Sequence, residues 1–210
     1  MKTTVDSQKE LARLVYRALS IIDPRCLLAG GAPRNWYFGE LAKDLDFYIQ
    51  TPDDRRCYEQ KGVFEGLGFG VKEPGDIKYE QYEMMPCLKR VWNLSFYTWD
   101  TPIQVMEINH EAIGEEECWY NGKGSTHEPE KLPGVVGDFN NTLSYGWSAY
   151  GLTHYPKDFL FSVEYKVVGY KYEAPNVKKL REKYPDFTFV PLEDFEAYKR
   201  VVQRREVLHD

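Results

Sequence analysis

The sequence predicts an α+β fold, with a strand-and-helix body over residues 1–150 and a small, mostly helical part over 151–210 packing on it. Apolar residues recur at helical spacing from Leu11 to Ile22. Residues 26–49 then read as strand, glycine turn, short helix and strand. Residues 92–99 and 103–108 are two β-rich runs parted only by Asp100-Thr101-Pro102, which is a hairpin pattern.

The elements follow in order. Ser7-Gln8-Lys9-Glu10 has the form of a capping box, and Leu11, Leu14, Val15, Ala18, Leu19 and Ile22 form the buried stripe of a helix that ends at Asp23-Pro24. Residues 26–29 make a short buried strand stopped by Gly30-Gly31. Pro33 suits the first turn of the next helix. A strand is expected over 43–49 and a helix over 53–67, with Tyr58, Phe64 and Leu67 facing the core. Residues 111–137, polar and rich in glycine, proline and glutamate, read as a long loop or flap. Residues 139–150 alternate like a strand, 159–168 hold a short helix or strand, and 177–184 and 192–208 are helical.

With 42% hydrophobic residues, 15% aromatic and 29% charged among 210, the chain has the composition of an ordered globular protein. A formal net charge of −6 argues against a general nucleic-acid coat. Local contact with RNA is left to the basic C-terminal residues Lys178, Lys179, Arg181, Arg200, Arg204 and Arg205. Cys26, Cys57, Cys87 and Cys118 form no CxxC pair, and the histidines are as dispersed, so free thiols in a reducing compartment are expected. No apolar leader or membrane-length run is present, and a cytoplasmic location is expected.

The chemistry concentrates in residues 27–50. Alternation along a strand sends Asp44 and Asp46 to one face, roughly 6.6 Å apart along it, while Leu45, Phe47 and Ile49 take the other. Two carboxylates so close repel unless a cation or protons neutralise them, and Asp46 between Leu45 and Phe47 is costly to bury unpaired. Ahead of them, Gly30-Gly31 lets backbone N–H groups approach phosphate oxygens, and Arg34 follows with a guanidinium fork suited to phosphate. Ile103, Val105 and Glu107 share a face of a later strand, which ends an apolar row in a third carboxylate; Glu111 and Asp100 are the alternatives. Three carboxylates on neighbouring strands can hold two divalent cations, and oxygen-only ligands suit Mg²⁺ or Mn²⁺.

In these residues the sequence resembles the polymerase β-like nucleotidyltransferase superfamily, and within it the head domain of CCA-adding enzymes and bacterial-type poly(A) polymerases. That motif reads Gly-Gly-x-x-Arg-Asp, a short helix ending near a glycine, then Lys-Asp-x-Asp and an apolar residue. Gly30, Gly31, Arg34, Gly39 and Lys43-Asp44-Leu45-Asp46-Phe47 match it. The resemblance implies a mixed sheet flanked by helices. It implies Asp44, Asp46 and Glu107 as the catalytic, metal-binding carboxylates, with Gly30, Gly31, Arg34 and Lys43 at the nucleotide. Asn141, in the partial match Asp138-Phe139-Asn140-Asn141-Thr142, is assigned to a ribose or else to a hydrogen bond within the sheet.

The activity so implied is metal-dependent transfer of NMP from an NTP such as ATP to a hydroxyl, with Mg²⁺ or Mn²⁺ as cofactor and pyrophosphate released. The first-ranked acceptor is an RNA 3′ end resembling tRNA; a protein hydroxyl or a small molecule such as an aminoglycoside comes next. A nucleotide-binding module without turnover is the rival class. The sequence departs from the family at Asn35, where the motif has aspartate, and at Val136-Gly137, where it has an arginine pair. Glu193-Asp194 resembles the base-selecting segment, but Phe195-Glu196-Ala197 lacks its arginine. At 210 residues the chain is too short for the helical neck, body and tail that measure a tRNA, so full CCA addition is not expected.

Overall fold

A computed structural model describes residues 3–24, 26–51, 56–72, 88–109, 140–144, 146–148, 153–154 and 157–207. The expected flap at 111–137 lies outside them. The chain divides into two compact units, Met1–Gly137 with Gly146–His154, and Asp138–Tyr145 with Tyr155–Asp210.

The first unit is built on a mixed seven-stranded sheet of order β3-β4-β5-β2-β1-β6-β7. Its strands are β1 (Leu27–Ala29), β2 (Leu45–Thr51), β3 (Phe69–Lys72), β4 (Leu88–Phe96), β5 (Ile103–Asn109), β6 (Gly146–Ser148) and β7 (Thr153–His154). The expected hairpin is present: β4 and β5 run antiparallel on either side of Asp100-Thr101-Pro102. β2 pairs antiparallel with β1 but parallel with β5, because helix α3 (Cys57–Gly66), β3 and β4 intervene before the chain returns to its side.

One face of the sheet is apolar except at the end that carries Glu107. Leu45, Phe47 and Ile49 of β2, Ile103 and Val105 of β5, and Trp92 of β4 are all essentially inaccessible there. Leu11, Val15 and Leu19 of helix α1 (Val5–Leu19) and Phe64 of α3 complete this core. Each such side chain contributes roughly 1.5–3 kcal/mol of burial free energy, which explains why the alternation of β2 dictates its orientation so firmly.

Helix α1 begins earlier than the Ser7–Glu10 pattern suggests. Thr4 is the N-cap: its hydroxyl accepts from the Ser7 N–H at 3.1 Å, while Ser7 Oγ accepts from the Thr4 N–H at 2.8 Å. Ser7 thus closes the capping box from inside the helix. The shift places Gln8 on the buried stripe, one turn ahead of Leu11 and Ala12.

Gln8 uses that position fully. Its Nε2 donates to the Ala42 carbonyl at 2.8 Å and to Thr101 Oγ1 at 3.3 Å. Its Oε1 accepts from the Ala42 N–H at 2.8 Å and from Trp36 Nε1 at 3.0 Å. Trp36 belongs to helix α2 (Gly31–Tyr37), so one buried amide ties α1 to α2 and to the backbone just before Asp44.

The second unit is less purely helical than expected. Helices α4 (Lys157–Tyr165), α5 (Pro175–Lys183) and α6 (Leu192–Val207) accompany two parallel strands, β8 (Val167–Tyr170) and β9 (Thr188–Pro191). The β-branched and aromatic pairs Val167-Val168 and Phe189-Val190 account for the strands. A β-carbon on Gly169 would come within 2.7 Å of Phe195, so β8 and α6 approach as closely as glycine allows. Residues 140–144 join this unit: the Thr142 N–H donates to the Gly169 carbonyl and the Lys171 N–H to the Asn140 carbonyl, each at 2.8 Å. The single strand expected over 139–150 is therefore divided, with Gly146–Ser148 forming β6 of the other unit.

Candidate active site

Three elements of the first unit carry Gly30, Gly31, Arg34, Asp44 and Asp46 to neighbouring positions. β1 runs antiparallel to β2 with Ala29 opposite Asp46, so the turn that follows Ala29 starts beside the carboxylate end of β2. Gly30 there adopts φ 77°, ψ −144°, a conformation that an L side chain strains to reach. Arg34 folds back over the turn: a β-carbon on Gly31 would sit 3.7 Å from its Nη2. Arg34 Nε is buried without a hydrogen-bond acceptor among the described residues, so the fork is held at the turn with donor capacity to spare.

Asp44 lies just before β2 and Asp46 on it, both half-buried. Lys43 is exposed on the bend that leads into the strand. Tyr48 and Gln50 continue the Asp46 face and are buried, so its accessible polar part lies at the leading end.

Glu107 does not join this group, contrary to its expected place as third metal ligand. In the parallel β2–β5 ladder Asp46 stands opposite Gln104, while Glu107 stands opposite Ile49. Paired residues point to the same face, so Glu107 projects to the core side with Ile49 and Phe47, about 10 Å further along the strands than Asp46. It is fully buried and its oxygens are engaged. Arg90 Nη1 donates to them at 3.1 and 3.2 Å, Trp92 Nε1 at 2.8 Å, and Thr51 Oγ1 as well. Lys89 Nζ lies 3.6 Å away. A carboxylate with that many donors is a structural counter-ion. Among the described residues no three His, Cys, Asp or Glu side chains gather in one place, which leaves Asp44 and Asp46 as the carboxylates of this face.

Asp100 is exposed beyond the end of β4, and Glu111 lies outside the described residues. Asn141 belongs to the second unit, where its buried Oδ1 accepts from the Leu143 N–H at 3.0 Å and from Ser144 Oγ at 3.2 Å. Its Nδ2 donates to Asn140 Oδ1 at 3.0 Å, so the side chain organises its own turn.

Two residues of this region were not picked out from the sequence. Gln104 is half-buried, and its Nε2 donates to Asn93 Oδ1 of β4 at 3.2 Å. Its signal was available: Gln104 lies between Ile103 and Val105 as Asp46 lies between Leu45 and Phe47. Gln8 is the other, marked by a polar residue on an otherwise apolar helical stripe.

No protein-family model matches the sequence, and no curated protein matches it either. Solved structures do. A tRNA-processing enzyme (apo form I) is 16% identical with a TM-score of 0.45, covering 81% of this chain and 38% of that one. A CCA-adding enzyme, also apo form I, is 11% identical with a TM-score of 0.51, covering 96% of this chain and 44% of that one. The chain thus spans less than half the length of either structure. The α+β fold expected from the sequence, a mixed sheet flanked by helices, is the fold found, and the chain shares it with the CCA-adding enzyme.

Proposed function

We propose that the chain is a nucleotidyltransferase that moves NMP from an NTP to a hydroxyl acceptor. The observation that carries this reading is the register of Ala29 with Asp46, which sets a glycine turn and its arginine beside a paired-carboxylate strand. Asp44 and Asp46 would hold Mg²⁺ or Mn²⁺, and an oxygen-only donor set of carboxylates suits those ions. The cation, when bound, neutralises charge on the triphosphate and favours ionisation of the attacking hydroxyl.

The chain's own groups supply the rest. Backbone N–H groups of Gly30-Gly31 can reach phosphate oxygens because neither residue carries a β-carbon. The Arg34 fork, with its unsatisfied Nε, meets charge on the phosphates as the pyrophosphate departs. Lys43, exposed beside Asp44, adds a positive charge at the same end of the strand. Asn141 is left out of this reading because its amide is spent in its own turn.

Arg34→Lys tests the phosphate site. The substitution keeps the charge and loses the planar fork, so NTP affinity is expected to fall about tenfold or more with little change in thermal midpoint. An unchanged affinity in a nucleotide titration would return Arg34 to the role of a surface charge.

The proposed acceptor is an RNA 3′ end, as in a tRNA. Its contact surface is the basic set Lys178, Lys179 and Arg181 on α5 with Arg200, Arg204 and Arg205 on α6, all exposed. Arg181 is already engaged: it donates to Glu173 Oε1 at 2.8 Å, which holds the Glu173 carboxyl below its usual range and the guanidinium above its own. Part of its charge is thus offset, and the two lysines are expected to dominate. Reversing the charge of Lys178, Lys179 and Arg181 together should weaken RNA binding and flatten its salt dependence by roughly 0.7 in logarithmic slope per lost phosphate contact. NTP binding should not change. An unaltered salt slope, or no RNA binding by the wild type, excludes this acceptor and leaves the transferase reading standing.

A further inference from the structure

The position on β5 that faces Asp46 across the ladder holds an amide. Gln104 is the residue directly opposite Asp46, in a parallel ladder whose register is continuous from Leu45↔Ile103 to Thr51↔Asn109. It is also opposite Asn93 on the far side, so its place is fixed by both neighbouring strands. Its Nε2 is committed to Asn93 Oδ1 at 3.2 Å. Oε1 remains as its acceptor atom, and the Gln104 side chain makes no other hydrogen bond among the described residues.

Resting on the reading of Asp44 and Asp46 as metal ligands, we infer that Gln104 Oε1 supplies the next protein oxygen to a divalent cation at that site. Amide oxygens are ordinary ligands for hard cations, alongside carboxylates and water. An amide differs from a carboxylate in charge. Two carboxylates and an amide carry a formal charge of about −2, enough to neutralise one divalent cation and no more. With an amide in place of a third carboxylate the site would carry one negative charge fewer, and it would hold a single divalent cation less tightly than three carboxylates would. Asn93 holds the Gln104 nitrogen on the β4 side and leaves the amide oxygen as the free end.

The test is a Mn²⁺ titration of the full chain without nucleotide, read by the electron paramagnetic resonance signal of free Mn²⁺. Gln104→Glu is expected to tighten binding tenfold or more. The half-buried site accepts it because the Asn93 amide can turn to donate to the new carboxylate. Gln104→Met keeps the length of the side chain and removes the oxygen, so binding should weaken several-fold. Asp46→Asn, run beside them, should abolish it. If Asp46→Asn abolishes binding while Gln104→Glu or Gln104→Met leaves it within twofold of wild type, the amide is not a ligand and this inference is overturned alone. If Asp46→Asn itself leaves Mn²⁺ binding intact, the carboxylate reading falls and takes the inference with it.

Discussion

Asp46→Asn is expected to reduce nucleotide transfer by roughly 10²–10³-fold or more, the scale seen when a group acting on developing transition-state charge is removed. The effect should fall on turnover rather than on folding. Asparagine preserves the shape of the side chain, and Asp46 is half-buried, two residues after Asp44 at the start of β2. Removing one of two like charges roughly 6.6 Å apart relieves repulsion on the order of 1 kcal/mol. The thermal midpoint of the metal-free protein should therefore stay level or rise slightly. Transfer at the wild-type rate by Asp46→Asn, with the variant folded, would contradict the assignment.

Glu107→Ala should do the opposite. It leaves Arg90 and Lys89, whose side chains are only 18% and 14% exposed, without their shared counter-ion. It also orphans the indole N–H of Trp92 and the Thr51 hydroxyl. Breaking a buried ion pair from one side costs about 3–5 kcal/mol. For a chain of this size that corresponds to a fall of roughly 10 °C in thermal midpoint. Mn²⁺ affinity of the molecules that remain folded should be unchanged. A variant with near-native stability and weakened metal binding would restore Glu107 to the metal site and refute the strand register.

The contrast between these two carboxylates shows what could be read from the chain directly. Gly30, Gly31, Arg34, Asp44 and Asp46 lie within one strand–turn–helix–strand stretch, so local geometry alone brings them together. Side-chain alternation over Leu45-Asp46-Phe47 then decides which face is polar. Glu107 was legible only as the polar end of an apolar row. Its face relative to Asp46 depends on how β5 registers against β2, and α3, β3 and β4 lie between them in sequence. A shift of one residue in that pairing exchanges the faces. The same limit hid Gln104, whose importance lies in being opposite Asp46.

Two smaller departures have local causes. Thr4 outcompetes Ser7 as N-cap because the two side chains satisfy each other's backbone N–H groups, and Ser7 can then sit inside the first turn. The strand pattern of 139–150 is broken by Asn141, whose Oδ1 accepts from the Leu143 N–H and draws the backbone into a turn. In the second unit the period-two signal of β8 and β9 is only four residues long in each strand, too short to stand out between helices α4, α5 and α6.

The proposed nucleotide transfer at Asp44 and Asp46 is tested by incubation of the full chain with each α-labelled NTP, Mg²⁺ or Mn²⁺, and total RNA with cell lysate as the acceptor pool. Label from at least one NTP is expected to pass to an acceptor only when divalent cation is present, and Asp46→Asn is expected to pass none. Label retained in the nucleotide for all four NTPs, or a transfer that Asp46→Asn performs as well as wild type, would contradict it.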